Sequence, residues 1–531
     1  MERHAELVRG IAADVRNFFE HGEPYRIFHG SSNSTRPRPS SNCSVVDISA
    51  LANVVSIDSG ARTALVEPNV PMDRLVEATL AHGLIPPVVM EFPGITVGGG
   101  FAGTSGESSS FRHGFFNETV NSMEIILGNG DVIWASPDER ADLFYGAAGA
   151  VGTLGVTTLL EVRLIEARKY VRTSYHRVNS IAEAVTRIRA ETTDPRNDYL
   201  DGILFSPCHG AIITGQLTDK VPTESRIQTF SDAGDPWFYL HVQDKTQSTS
   251  PPSSHTEYIP LTEYLFRYDR AGFWVGRQGY EYFKYIPFND FFRWFLDDFS
   301  HTRMLYHALH AGNISSRFIV QDLALPYDTA KDFIDYVAAE LSIWPLWLCP
   351  LRETPLPTFH PVTRGASPGL EGSPEKKKNS GMPATLSAPM LNIGVWGWGP
   401  SAWNTFVLKN RALESKLRQL GGRKWLYAQT YYTEGEFWAT YDRPWYEALR
   451  EKYCASKLPT VFDKVRVDLD AKERDRRNWV NTLVRVWPIA GLYGMWVALL
   501  SGDYRHHRQA EWKHKRESKQ TTTGGIQCNG V

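Results

Sequence analysis

Cysteine is scarce. The 531 residues hold five, Cys43, Cys208, Cys349, Cys454 and Cys528, far apart and without a C-x-x-C pair. That scatter excludes a disulfide framework and a structural zinc site, and it predicts a reducing compartment. An excess of one charge is also lacking. Lys and Arg number 57 against 59 Asp and Glu, a formal net charge of -2. Such a balance predicts no nucleic-acid partner. Long apolar runs are few. Met1 to Phe19 mixes charges throughout, so no signal peptide is expected. Sequons at Asn33, Asn42, Asn117 and Asn313 read as chance. No Ser-His-Asp order, metal quartet or P-loop lysine is evident. His506, His507 and His514 sit among Arg and Lys, which predicts a solvated basic tail.

What remains is ordinary globular usage with many aromatics, 12% of the chain including 16 Trp. The length suggests two large domains or about three smaller ones. Residues 5–20 place Leu7, Ile11, Val15 and Phe18 on one helical face, closed by Gly22. Short β-type runs follow at Tyr25–Phe28, Val45–Ile48, Val54–Ile57 and Ala64–Val66. A helix is expected over 71–83, a hairpin over Met123–Trp134 and a strand over Val156–Ile165. The pattern is α+β, with strands in the majority. Later helices are expected over 404–420 and most of 434–453. Polar stretches at 244–255 and 361–389 read as exposed loops.

The tail from 471 differs. Residues 486–500 carry no charge and the apolar stretch extends back to Trp479, with basic residues on both sides. Its length is marginal for a span, so 479–500 is expected either to meet a membrane surface or to dock on the protein itself. Cys528 begins only a poor prenylation box.

Residues 93–110 hold the chemistry. Gly94, Gly98, Gly99, Gly100, Gly103 and Gly106 fall within 18 residues. Gly98–Gly103 fits G-x-G-x-x-G, but prolines break the segment before it and a poor helix follows. A dinucleotide Rossmann fingerprint is therefore rejected. The segment still lets backbone approach a ligand closely, with small donors from Thr96, Thr104, Ser105 and Ser108. Two further segments suit the same role, namely Gly30, Ser31, Ser32, Asn33, Ser34 and then Gly152, Thr153, Gly155, Val156. Three such loops in one α+β domain predict a large phosphate-bearing cofactor.

The order Pro93-Gly94-Ile95-Thr96-Val97-Gly98-Gly99, then Gly152-Thr153-Leu154-Gly155-Val156, resembles the vanillyl-alcohol oxidase and p-cresol methylhydroxylase flavoproteins. TVGGGFAGTSGESSSFRHGFF at 96–116, DLFYGAAGAVGTLG at 142–155, FIVQDLALP at 318–326, IWPLWLCP at 343–350 and LYAQTYYTEGEFWATYD at 426–442 narrow the resemblance to the Diminuto/Dwarf-type Δ24-sterol reductases, over roughly residues 5–470. The resemblance implies an N-terminal helix (1–21), a two-subdomain FAD-binding domain of p-cresol methylhydroxylase type (22–200), an α+β substrate cap (201–470) and the added tail (471–531). It implies FAD held at Gly30 to Ser34, at Thr96 to Ser108 (with Phe101 and Ala102 among them) and at Gly152 to Val156. Some superfamily members attach flavin covalently through a loop His. His29 lacks that context here, so non-covalent FAD is expected.

The implied reaction saturates the 24(25) double bond of a sterol or triterpenoid side chain with NADPH, at an endoplasmic reticulum membrane. An alkene without a carbonyl needs a proton donor and a stabilised carbocation. Glu107 and Tyr431 are the expected donors. Tyr427, Tyr432, Glu436, Trp438 and Tyr441 surround the second, and Trp344, Trp347, Trp396 and Trp398 are candidate pocket walls. An oxygen-using oxidase of a small alcohol or sugar, and a silent FAD- or sterol-binding protein, remain the alternatives. Oligomeric state is left open.

Overall fold

The computed structural model describes residues 1–30, 44–248, 254–312, 314–363, 385–477 and 487–514. Ser31 to Ser34, most of the 361–389 insertion, residues 479–486 and Cys528 lie outside the described residues.

The first helix, Glu2–His21, buries Val8, Ile11, Ala12 and Val15 and ends at Gly22 in the left-handed region (φ 70°). It does not stand apart. His4, buried beneath it, bonds Glu67 at 2.9 Å and Glu124 at 3.0 Å, joining the helix to the sheet below. That sheet has five strands in the order Val54–Asp58, Thr63–Val66, Val156–Arg163, Val120–Ile126, Val132–Ala135, all antiparallel. A two-stranded parallel pair, Tyr25–Phe28 with Ser44–Asp47, lies beside it in the chain. The hairpin and the strands expected from alternation are all present, with ends shifted by a residue or two.

The second sheet has eight strands: Ser254–Pro260, Tyr170–Val178, His209–Thr218, Tyr199–Ser206, Leu346–Leu351, Met390–Trp398, Phe318–Pro326 and Arg423–Lys424. Tyr170–Val178 already belongs to it. The boundary expected at 200 therefore falls inside this sheet, because the partners of that strand (209–218 and 254–260) lie far along the chain. Helices Ile181–Glu191, Tyr327–Glu340 and Trp403–Gln419 cover one face with an apolar layer that includes Val185, Phe333 and Leu413. The other face meets the FAD-side sheet's loops. The fold is α+β.

Late segments return to the first half. Arg450, 6% exposed, donates to Thr153 O (3.1 Å), Pro459 O (3.2 Å) and Ser456 O (3.1 Å), and reaches the Tyr446 hydroxyl. Arg303 grips both Asp73 oxygens, at 2.8 and 3.1 Å, and fixes helix Thr302–Ala311 to helix Met72–Leu80.

The tail departs from expectation. Its described helix runs Ile489–Ser501, after a turn at Trp487 and Pro488. His507 is buried rather than solvated: it stacks on His301 with ring centroids 3.6 Å apart and bonds Asp298 at 2.8 Å. Trp512 packs on Phe266. Asp298, from a distant stretch of the chain, supplies the carboxylate partner.

Arg450→Ala would leave several buried carbonyls without a donor. It is expected to cost about 3 kcal/mol or more, read as a lower urea midpoint. An unchanged midpoint would contradict the joining role of this side chain.

Candidate active site

Thr96 ends an extended stretch, and its Oγ1 accepts from Gly99 N at 3.1 Å. This caps a short helix, Val97–Gly103, where a loop was expected. The first N–H groups of that helix are used at home. Val97 N donates to Val70 O, Gly98 N to Pro68 O and Gly100 N to Thr96 O, all within 2.9 Å. Backbone donors at 97–100 are thus spent within the protein, because the cap and the 68–70 turn reach them first.

The segment has two sides. Val97, Gly100 and Phe101 face the core; a Cβ on Gly100 would sit 2.5 Å from Met90 Cε. Gly99 is exposed, and Ala102, Gly103, Ser105 and Gly106 are half-buried. A Cβ on Gly103 would meet nothing within 4 Å. This open strip of small residues fits a flat aromatic cofactor with a phosphate arm. Thr104 is buried; its carbonyl accepts from Trp425 Nε1 at 2.9 Å. Ser108 is buried, and its carbonyl accepts from Leu200 N at 2.7 Å.

The third segment divides likewise. Thr153 is fully buried, its hydroxyl donating to Ala150 O and accepting from Tyr446. Val156 starts a buried strand and Gly155 (φ +154°) presses on Ile126 O. Gly152 alone of these four is half-open; beside it, Lys464 Nζ donates to Val151 O at 2.9 Å. Of the first segment, Gly30 is exposed.

Behind the strip lies the chemistry that the sequence reading missed. Side chains alternate across a strand, so Asp201, Cys349, Asn392 and Asp322 all share one face of the eight-stranded sheet, the face on which Cys349 meets Glu107. Cys349 pairs with Asn392 and Asp322 with Gly394 across the ladders. Asp201 accepts from Arg267 (3.0 Å), Tyr268 (2.8 Å) and Trp347 (3.1 Å). The same guanidinium reaches Glu91 at 2.8 Å. Asp322 accepts from the Tyr427 hydroxyl at 2.5 Å and from Asn392 Nδ2 at 3.1 Å. Cys349 Sγ donates to Glu107 O at 3.2 Å.

Glu107, Glu91, Asp201 and Asp322 are all buried, and one guanidinium serves this interior. Burial drives the Glu107 carboxyl well above its ordinary range, and the neighbouring charges of Glu91 and Asp322 push it further. Burial also raises Glu91, against the pull of Arg267. Asp322 is pushed up to about 6 by burial, with Tyr427 and Asn392 opposing. Burial and these neighbours thus favour the protonated form of Glu107.

An apolar pocket adjoins this cluster, walled by Phe92, Tyr306, Phe318, Val320, Trp396 and Tyr431. Phe318, Val320 and Asp322 share one face of their strand, so the wall leads to the carboxyl. Phe92 lies 5.7 Å from Trp396 and 6.2 Å from Tyr306, ring to ring. A second apolar pocket continues outward, sharing Val275, Leu305, Leu309 and Phe318.

Tyr431 lines the inner cavity, but its hydroxyl donates to Gln429 Oε1 at 2.9 Å. Burial drives it upward. Among the described residues no contact joins it to Glu107; it is Tyr427 whose hydroxyl reaches Asp322. Of the four Trp, Trp396 and Trp398 line cavities, whereas Trp347 bonds Asp201 and Trp344 packs with the helical layer. One signal in the sequence pointed to Asp322: a lone acid inside the apolar strand FIVQDLALP.

Two tests follow. Gly103→Leu is expected to keep the urea midpoint and lose flavin absorbance, since its side chain enters open space; retained flavin would contradict the strip. Asp322 sets the second. A carboxyl raised on folding contributes stability that is full below its ordinary value of 3.8 and lost as pH rises through about 6. That loss is about 3 kcal/mol. Asp322→Asn should gain that much over wild type between pH 4 and pH 7 in urea melts. A constant difference would exclude the raised carboxyl.

Residues 8–136 match the model of an FAD binding domain. The chain is 28% identical to a delta(24)-sterol reductase of Macaca fascicularis, over 87% of this chain and 86% of that one. It is 28% identical to a delta(24)-sterol reductase of Arabidopsis thaliana over 77% and 74%. A cytokinin dehydrogenase 9 of Oryza sativa subsp. japonica is 31% identical over 45% and 47%. The matched FAD domain covers the helix Val97–Gly103 and the open strip, and the reductase matches extend through the sheet that carries Asp201 and Asp322. The chain is therefore an FAD-dependent oxidoreductase homologous to the delta(24)-sterol reductases, with an FAD domain of the vanillyl-alcohol oxidase and p-cresol methylhydroxylase type.

Proposed function

We propose that the protein reduces the side-chain 24(25) double bond of a sterol or related triterpenoid, with NADPH as the electron source and FAD held non-covalently. The observation that carries this reading is the apolar pocket walled by Phe92, Tyr306 and Trp396, whose wall strand Phe318–Pro326 also carries the raised carboxyl of Asp322, a charge that reaches the buried Glu107. The names of the relatives support it.

Gly99, Ala102, Gly103, Ser105, Gly106 and Gly152 form the surface that would hold the cofactor. FAD held there, once reduced by NADPH, would supply hydride to the carbon that becomes electron-poor. The chain's own residues supply the rest. Glu107, neutral in its dry site, gives its proton to carbon 24, and carbon 25 becomes the tertiary cation. The carboxylate left behind lies near Arg267. The ring faces of Phe92, Tyr306 and Trp396 favour positive charge in the cavity and exclude water from it. Tyr427 and Asn392 hold Asp322 in place; its charge, once formed, faces the same cation. Tyr431 shapes the wall.

The test is anaerobic. NADPH should bleach the flavin, and a sterol with a 24(25) double bond should restore it, whereas its saturated counterpart should not. Glu107→Gln should bleach normally and reoxidise with the sterol at least about a hundredfold more slowly. Recovery driven by oxygen alone would contradict the reductase reading. An unslowed variant would remove Glu107 from the proton step.

A further inference from the structure

Eleven of the nineteen large apolar side chains exposed among the described residues come from two stretches, 285–295 and 487–500. The stretches touch. Trp487 Nε1 donates to Tyr282 O at 2.6 Å, and the Trp487 and Tyr285 rings lie 5.9 Å apart. Helix Ile489–Ser501 carries no charged residue. Its inner side is small: a Cβ on Gly494 would be 2.5 Å from Ala308 O, and one on Gly491 would be 2.4 Å from the Tyr282 ring. The helix thus lies backbone-close on Thr302–Ala311. Its outer stripe is large and bare: Leu492 is 55% exposed, Trp496 59% and Leu500 67%. These positions, four apart, share one face. A patch of this kind marks an interaction surface.

The occupant follows from length and from what the patch surrounds. Thirteen residues span about 20 Å, short of the hydrocarbon thickness of about 30 Å. No described helix is long and apolar enough to cross a membrane. The inner wall of the same helix, at Gly491 and Met495, closes the outer cavity with Tyr282, Phe283 and Ile286. A second copy seated here would seal the mouth; an apolar liquid phase would open onto it. Trp487, Tyr493 and Trp496 suit the headgroup boundary, and exposed Arg277, Lys284 and Arg505 flank the patch.

We propose that this face seats in one leaflet of a lipid bilayer, so that an apolar substrate passes from the membrane through the outer cavity to the inner one. The cargo named, a sterol, rests on the reductase reading; the seating does not.

The full FAD-loaded chain is sedimented with vesicles of phosphatidylcholine, and of phosphatidylcholine with phosphatidylserine. Wild type should pellet with both, more with the anionic set. Leu492→Asp/Trp496→Asp/Leu500→Asp should bind at least tenfold more weakly with its flavin spectrum unchanged. Leu500→Asp alone, at the barest position, should weaken binding about threefold should the triple variant misfold. The triple variant should also lose at least tenfold in turnover of sterol embedded in vesicles, and nothing with the same sterol in detergent micelles. Wild type left in the supernatant with both vesicles, or variants that pellet as wild type does, would overturn the proposal. So would a concentration-dependent dimer abolished by the substitutions without vesicle binding. Vesicle binding with no sterol turnover in any form would overturn the reductase reading and leave the seating intact.

Discussion

Arg267 is the constraint around which this interior is arranged. It is about 1% exposed and bonded to Glu91 and Asp201, with the Tyr264 ring 4.2 Å from its guanidinium carbon. Coulombic attraction in a dry site cannot neutralise four carboxyls with one cation. Glu107 and Asp322, with no bond to the guanidinium, must keep protons or raise the energy of the fold. The site's acidity is therefore a property of charge balance at the junction of two sheets. Neither residue is acidic by virtue of its immediate sequence.

That junction explains the rest. The pleat of the eight-stranded sheet sets Asp201, Cys349, Asn392 and Asp322 on one face, which meets the glycine segment at Glu107. The segment can approach because it is built of small residues: a Cβ on Gly106 would already lie 3.0 Å from Leu351 and 3.1 Å from Trp425. Its outer residues leave the open strip. One short stretch of glycines thus separates a cofactor surface from a proton-holding interior. Arg303 and Arg450 hold the two halves in register from separate stretches of the later chain.

The fold was largely legible where signals are local. The helix Glu2–His21 follows from apolar spacing and its closing glycine, and the Val120–Ala135 hairpin from alternation around a glycine turn. Glycine density singled out residues 96–108, yet could not say which faced out. Gly100 and Gly103 look alike in sequence and differ only in whether Met90 stands behind them. The boundary near 170 was hidden because strand Tyr170–Val178 finds its partners 30 to 90 residues later. Glu91, Asp201 and Arg267 carried no signal at all, since their meaning arises from contacts 66 and 176 residues apart. Tyr431 drew notice through its aromatic neighbourhood, but the hydroxyl that reaches Asp322 is four residues earlier.

The central claim is that Glu107 stays protonated in the folded, neutral protein. An infrared spectrum at pH 8 in heavy water tests it most directly, because a protonated carboxyl absorbs apart from carboxylates. The account expects a buried carboxylic-acid band in wild type that vanishes in Glu107→Gln. A wild-type spectrum without that band, or a band untouched by the substitution, would contradict it.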